Sequence, residues 1–187
     1  MREPAFWWRS PSWMSRALAP LGSLYGAISG SRMQRKGHRA AVPVVCVGNY
    51  SLGGAGKTPT VLALIKLLRG AGETPVVLSR GYGGRLAGPV RVDGEAHTAA
   101  DVGDEPLLLS RFAPVIVSRD RVAGVDAAQA VGASVIVMDD GFQNPSLQKH
   151  ISLIVVDSNR GLGNGGVFPS GPLRAPLAVQ LLSLIHI

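Results

Sequence analysis

The 187-residue sequence holds a single cysteine, Cys46. One thiol closes no internal disulfide, which fits a reducing, cytosolic setting and leaves Cys46 as small filler inside an apolar run. No stretch approaches the ~18 apolar residues that a membrane-spanning helix requires. No apolar region followed by a small-residue cleavage site marks a secretory signal. His38, His150 and His186 stand at no ligand-like spacing from one another or from Cys46, which argues against a zinc site. Acidic residues are scarce in one region above all. Residues 1–40 carry seven basic side chains (Arg2, Arg9, Arg16, Arg32, Arg35, Lys36, Arg39) against Glu3 alone, a net of +6 out of the chain's +7. Residues 41–187 are therefore nearly neutral and lack the basic excess of a nucleic-acid surface.

What is present centres on Gly48-Asn49-Tyr50-Ser51-Leu52-Gly53-Gly54-Ala55-Gly56-Lys57-Thr58-Pro59. It follows an apolar run, Val42-Pro43-Val44-Val45-Cys46-Val47, suited to a buried parallel strand. A helical pattern over residues 57–69 follows, stopped by Gly70 and Gly72. Strand, glycine-rich turn and helix in that order form a phosphate-binding loop, in which permissive backbone aims N–H groups inward and the helix N-terminus adds positive partial charge. On this reading residues Ser51, Leu52, Gly53, Gly54, Ala55, Gly56, Lys57 and Thr58 hold the polyphosphate of ATP. Lys57 reaches the β- and γ-phosphates and the Thr58 hydroxyl binds Mg²⁺. The formal pattern wants glycine where Ser51 stands; a glycine-rich connection without a ligand is the plainer alternative.

The remaining signals fall in order along the chain. Trp7, Trp8 and Trp13 cluster near the N-terminus, and Ser10-Pro11 reads as the start of a helix. Met14, Leu18, Leu21, Tyr25 and Ile28 then share one helical face, with Pro20 expected to kink or divide it. An apolar stripe among aromatics and arginines suits a membrane interface; packing on the protein's own core is the alternative. Residues 74–79 read as a second strand entering a loop, Arg80-Gly81-Tyr82-Gly83-Gly84-Arg85, which is either a flexible basic loop closing on phosphate or a plain turn. Residues 89–97 read as a hairpin around Asp93-Gly94, with His97 at the surface. In Asp101-Val102-Gly103-Asp104-Glu105-Pro106, Asp104 or a neighbour reads as a helix cap. Residues 114–118 give a third strand, with a helix from Arg119 to Val131. Residues 133–140 give an apolar strand ending in Asp139-Asp140, the Walker-B arrangement that sets a carboxylate beside Mg²⁺.

Gly161-Leu162-Gly163-Asn164-Gly165-Gly166 satisfies a dinucleotide fingerprint, but Pro169 and Pro172 follow where a helix should open, so that reading is rejected. No Asn-Lys-x-Asp guanine motif is present. A partitioning-type regulatory ATPase carries a signature lysine where this chain has Leu52. The fold class expected is α/β: a P-loop NTPase-like, mostly parallel sheet flanked by helices, with an N-terminal membrane-interface helix. The expected division is a basic, aromatic segment (1–40), a P-loop domain (41–179) and a tail (180–187).

Assembled, these motifs resemble the tetraacyldisaccharide 4′-kinase family over residues 1–179: Gly53 to Pro59, Ser79 to Gly84, Val102 to Pro106, Asp139-Asp140-Gly141-Phe142-Gln143, and Arg160 to Arg174. The resemblance implies transfer of the ATP γ-phosphate to the 4′-hydroxyl of an acylated glucosamine disaccharide 1-phosphate lipid. It places the chain, as a peripheral protein without an obligate protein partner, at the cytoplasmic face of the bacterial inner membrane. It implies that residues 1–40 rest on that membrane surface, and that no nucleic acid takes part. It makes Asp104 the general base, with Lys57, Asp139 and Asp140 in the catalytic set and Thr58, Asp139 and Asp140 around the metal. The chain departs from the family at Asn144, where many members have histidine. It departs also in length, since the family runs to nearly twice this size and takes a catalytic histidine from a second domain that His186 does not replace. We read residues 180–187 as a foreign tail on a truncated frame, which leads us to expect weak nucleotide binding and little catalysis.

Overall fold

The computed structural model describes residues 3–54 and 56–185; Ala55 and His186 lie outside the described residues. A 3₁₀ turn (Ala5–Trp8) precedes α1 (Trp13–Met33), β1 (Val44–Gly48), α2 (Lys57–Gly70), β2 (Pro75–Ser79), β3 (Val90–Arg91), α3 (Ala99–Val102) and α4 (Asp104–Leu109). Then come β4 (Val115–Val117), α5 (Arg121–Ala130), β5 (Val135–Asp139), β6 (Ile151–Ile154) and α6 (Leu177–Ile185). The strands form one six-stranded sheet in the order β3-β4-β2-β5-β1-β6, parallel except for β3 at one edge.

The inner strands β1, β2, β4 and β5 are buried along their whole length, as near-continuous apolar runs require in a parallel sheet covered on both faces. Their two-residue alternation divides the core. Val44, Cys46, Val76, Leu78, Ile136 and Met138 meet Val125 and Ala128 of α5 on one face. Val47, Val77, Val115, Val117 and Val137 meet Val61 and Ile65 of α2 and Leu109 of α4 on the other. Each fully buried aliphatic side chain of this kind contributes about 1.5–3 kcal/mol.

Helix α1 differs from expectation in three ways. It starts at Trp13, because Ser12 and Ser15 exchange side-chain to backbone hydrogen bonds that cap it, so Ser10-Pro11 lies outside. It runs unbroken through Pro20. And its buried face is Ser15, Gly22, Gly26 and Gly30, which lie against the segment of residues 167–179 so closely that a Cβ on Gly22 would stand 2.8 Å from the Val167 carbonyl oxygen. The large side chains face outward, Trp13 at 77% exposure and Leu24 at 62%, with Met14, Leu21, Tyr25 and Ile28 beside them. The apolar stripe is therefore largely exposed, with Tyr25 also meeting Phe168 edge to face at 5.4 Å.

Other local readings also change. Residues 89–97 are not a hairpin: Val90 and Arg91 pair antiparallel with β4, and Asp93 closes a turn by accepting from Glu95 N. The Arg80 to Arg85 loop is not loose, since Arg85 pairs with Asp101 at 2.7 Å and its amide donates to Ala100 O. Of Asp104 and its neighbours it is Gly103, at φ +93°, that takes the N-cap position of α4, with Asp104 the first helical residue. α6 runs across position 180, where Gln180 is buried and donates to Ala175 O.

Candidate nucleotide-binding site

The loop after β1 and the acid after β5 meet because their strands are neighbours in register, Val47 opposite Asp139. Both therefore deliver their residues to the carboxyl edge of the sheet, the usual ligand-binding edge of open α/β folds. Gly56 precedes α2 at φ +82°, a left-handed turn that glycine takes without strain. Among the described residues, the amides of Gly53, Gly54 and Gly56 find no acceptor, as a cradle for phosphate oxygens requires. The Leu52 amide is different: it donates to Pro172 O at 2.8 Å, so it is already engaged. Ser51 pairs with Leu173 in an isolated antiparallel bridge, so residues 172–174 strap the front of the loop.

Lys57 is buried, its ammonium 3.5 Å from Gly53 O and 3.8 Å from Asp140 Oδ1. Arg174 reaches Asp140 through both terminal nitrogens, at 2.9 and 3.1 Å, while its Nε donates to Ser51 O. Asp139 is only 3% exposed. Burial first, then the charges of Glu105 and Asp140, push its carboxyl up to about 7, against the pull of Lys57 and Arg121. Thr58 Oγ1 lies 3.5 Å from Glu105 Oε1. Asp104 is exposed at the start of α4 and takes no side-chain hydrogen bond or ion pair among the described residues.

The structure thus brings together Lys57, Thr58, Asp139 and Asp140, with Asp104 next to Glu105 on the adjoining helix. It adds Glu105, Arg174 and Arg121, which sequence reasoning did not assign. Arg121 is buried, donates to Leu78 O at 3.3 Å and Asp139 O at 3.4 Å, and leaves Nε without an acceptor among the described residues. Burial lowers it to about 10. Arg121, Arg80, Arg174 and Asp140 line a cleft of about 410 Å³ whose opposite wall is Tyr25, Ile28 and Arg32 of α1.

Among the described residues no three His, Cys, Asp or Glu side chains converge to cage a metal. The donors present are nonetheless all hard oxygens: the Thr58 hydroxyl, the Asp139 carboxylate and the Asp140 carboxylate, which also pairs with Arg174. That set fits Mg²⁺, which binds one or two carboxylates and fills its shell with water and phosphate oxygens.

Glycine loop, helix-starting lysine and a buried acid at the end of the adjacent strand define a P-loop α/β protein of the nucleotide-binding class. A family model described as tetraacyldisaccharide-1-P 4′-kinase matches residues 14–184, and the chain belongs to that family. It is 65% identical over 181 residues to a tetraacyldisaccharide 4′-kinase of Rhodopseudomonas palustris (strain HaA2) and 70% identical to one of Nitrobacter winogradskyi, covering 97% of this chain and 54% of each relative. The chain thus spans about half the length of these curated relatives. A crystal structure of LpxK from Aquifex aeolicus, an "apo" form in complex with ATP, superposes with TM-score 0.78 at 29% identity, over 91% of this chain and 57% of that one.

Proposed function

We propose that this chain is the nucleotide-binding part of a kinase that transfers the γ-phosphate of ATP to the 4′-hydroxyl of tetraacyldisaccharide 1-phosphate at the cytoplasmic face of the bacterial inner membrane. The observation that carries the reading is the convergence of Lys57, Thr58, Asp139 and Asp140 at one edge of the sheet, in a member of this kinase family. In this reading the amides of Gly53, Gly54 and Gly56 and the start of α2 hold the phosphates, and Lys57 balances their charge. Thr58 and one of Asp139 and Asp140 would hold Mg²⁺, which would neutralise charge on the phosphates. Asp104, exposed at the start of α4 beside Glu105, orients and deprotonates the sugar hydroxyl, and positioning with charge stabilisation supplies most of the acceleration.

The acceptor is an anionic amphiphile, and the cleft suits one. Arg80, Arg121 and Arg174 line it together with Tyr25, Ile28 and Arg32 of α1, a helix that also carries exposed Trp13, Leu21 and Leu24. Its exposed side rests on the membrane. Each basic group near an anionic leaflet contributes about 1 kcal/mol. The test is transfer of labelled γ-phosphate to tetraacyldisaccharide 1-phosphate by a full-length version, with Lys57→Ala and Asp104→Ala each expected to abolish it. Near-normal turnover in either variant refutes the role assigned to that residue.

A further inference from the structure

The turn that carries Asp140 is held in an unusual way. Asp140 adopts φ +49°, a left-handed conformation that costs a non-glycine residue free energy and persists only where its surroundings over-determine it. Arg174 fixes its side chain. The backbone beyond it, residues 141–144, is fixed from behind by Lys149, whose ammonium donates to Phe142 O at 3.0 Å and to Asn144 O at 2.5 Å. Lys149 is half-buried and has no carboxylate within ion-pair distance among the described residues. Burial lowers its pKa, so holding the ammonium there costs free energy that the two carbonyls offset. Its own backbone is anchored through the next residue: His150 N donates to Val44 O at 2.8 Å, and Val44 N donates to His150 Nδ1 at 3.0 Å. The ammonium is thus referenced to β1, the same strand that delivers the phosphate loop.

Two more ties make the turn a rigid bridge between the acid pair and that loop. Gln143 Nε2 donates to Asn49 O at 2.7 Å, and the rings of Phe142 and Tyr50 meet edge to face at 6.0 Å. Lys149 clamps both carbonyls that flank Gln143. These ties end on Asn49 and Tyr50, just before residues 51–58 of the phosphate loop.

We propose that Lys149 is a positioning residue for the metal side of the site: by clamping the carbonyls of Phe142 and Asn144 it holds the turn that aims the Asp140 carboxylate at Lys57. The inference rests on the functional reading given above. It separates two quantities that a general packing role would move together. Binding of ATP without metal depends on the loop amides and Lys57, whereas the Mg²⁺ requirement depends on where the carboxylates point.

The test is calorimetric titration of the chain with ATP in EDTA and across a Mg²⁺ series, beside thermal unfolding, for wild type, Lys149→Met and Lys149→Arg. Lys149→Met is expected to raise the Mg²⁺ concentration for half-maximal enhancement at least tenfold, with metal-free ATP affinity within twofold of wild type. Lys149→Arg, which restores donors and charge, is expected to recover to within threefold. Amide hydrogen exchange of residues 141–144 in the ligand-free Lys149→Met chain is expected to accelerate at least tenfold. Should Lys149→Met unfold at the assay temperature, Lys149→Gln takes its place with the same required split. An unmoved Mg²⁺ half-point, or equal loss of metal-free and metal-dependent binding, overturns the proposal. A wild-type chain that binds no ATP at all overturns the functional reading and this inference with it.

Discussion

The guanidinium of Arg174 joins the Asp140 carboxylate to the backbone of Ser51, so one side chain ties the acid at the end of β5 to the phosphate loop after β1. Two nitrogens face one carboxylate while the third reaches a carbonyl, an arrangement that only a planar fork supplies.

Replacing that fork tests it. Arg174→Ala leaves Asp140 without its closest cation and is expected to lower the unfolding free energy by about 1.5–3 kcal/mol, the usual range for a lost hydrogen bond to a charged group. Arg174→Lys keeps the charge but loses the Ser51 bond, and is expected to recover less than half. Chemical denaturation measures both, and full recovery by lysine contradicts the geometric role.

The raised Asp139 carboxyl sets a pH dependence of definite sign. Its folded value, about 7, lies above the ordinary 3.8, so between those values the native chain holds a proton that the unfolded chain does not. Its stabilising contribution is full below about pH 4 and is lost as pH rises through about 7. Denaturation at pH 5 and pH 8 is expected to show a smaller fall in stability for Asp139→Asn than for wild type, with the variant the more stable at pH 8. Mg²⁺ favours the ionised form, so its binding near pH 7 is expected to release protons, seen as buffer-dependent heats. A steeper fall in the variant contradicts the assignment.

The outer face of α1 yields an independent expectation. Leu21 and Leu24 are exposed, so the double change Leu21→Glu with Leu24→Glu is expected to leave stability within about 0.5 kcal/mol per site. The same change is expected to cut co-sedimentation with anionic phospholipid vesicles at least tenfold, and binding of the wild type is expected to weaken with salt. Unchanged sedimentation contradicts a membrane role for this face.

How far the sequence reveals this molecule depends on how local each signal is. β1, the glycine loop and α2 are legible because buried strand, turn and amphipathic helix are each written in consecutive residues. The Asp139 position follows from an apolar run ending in acid. What bridges distant segments is not legible: Arg174 with Asp140 and Glu105 with Thr58 both depend on how strand order brings remote loops together. The hairpin expectation failed because Asp93-Gly94 has the right turn chemistry, whereas the exposed edge of β4 recruits Val90 and Arg91 instead. In α1 the large residues drew attention first, and the docking signal was the smaller one, Gly22, Gly26 and Gly30 at steps of four. Ser12 caps the helix through Ser15, a three-residue spacing that Ser10-Pro11 obscured.

Titration of Mg·ATP into the chain by calorimetry tests the central claim most directly. Saturable binding at one site per chain is expected, weakened at least a hundredfold in Lys57→Ala and restored in neither EDTA nor excess Mg²⁺. No heat of binding from the unsubstituted chain, or equal binding by Lys57→Ala, would contradict the account.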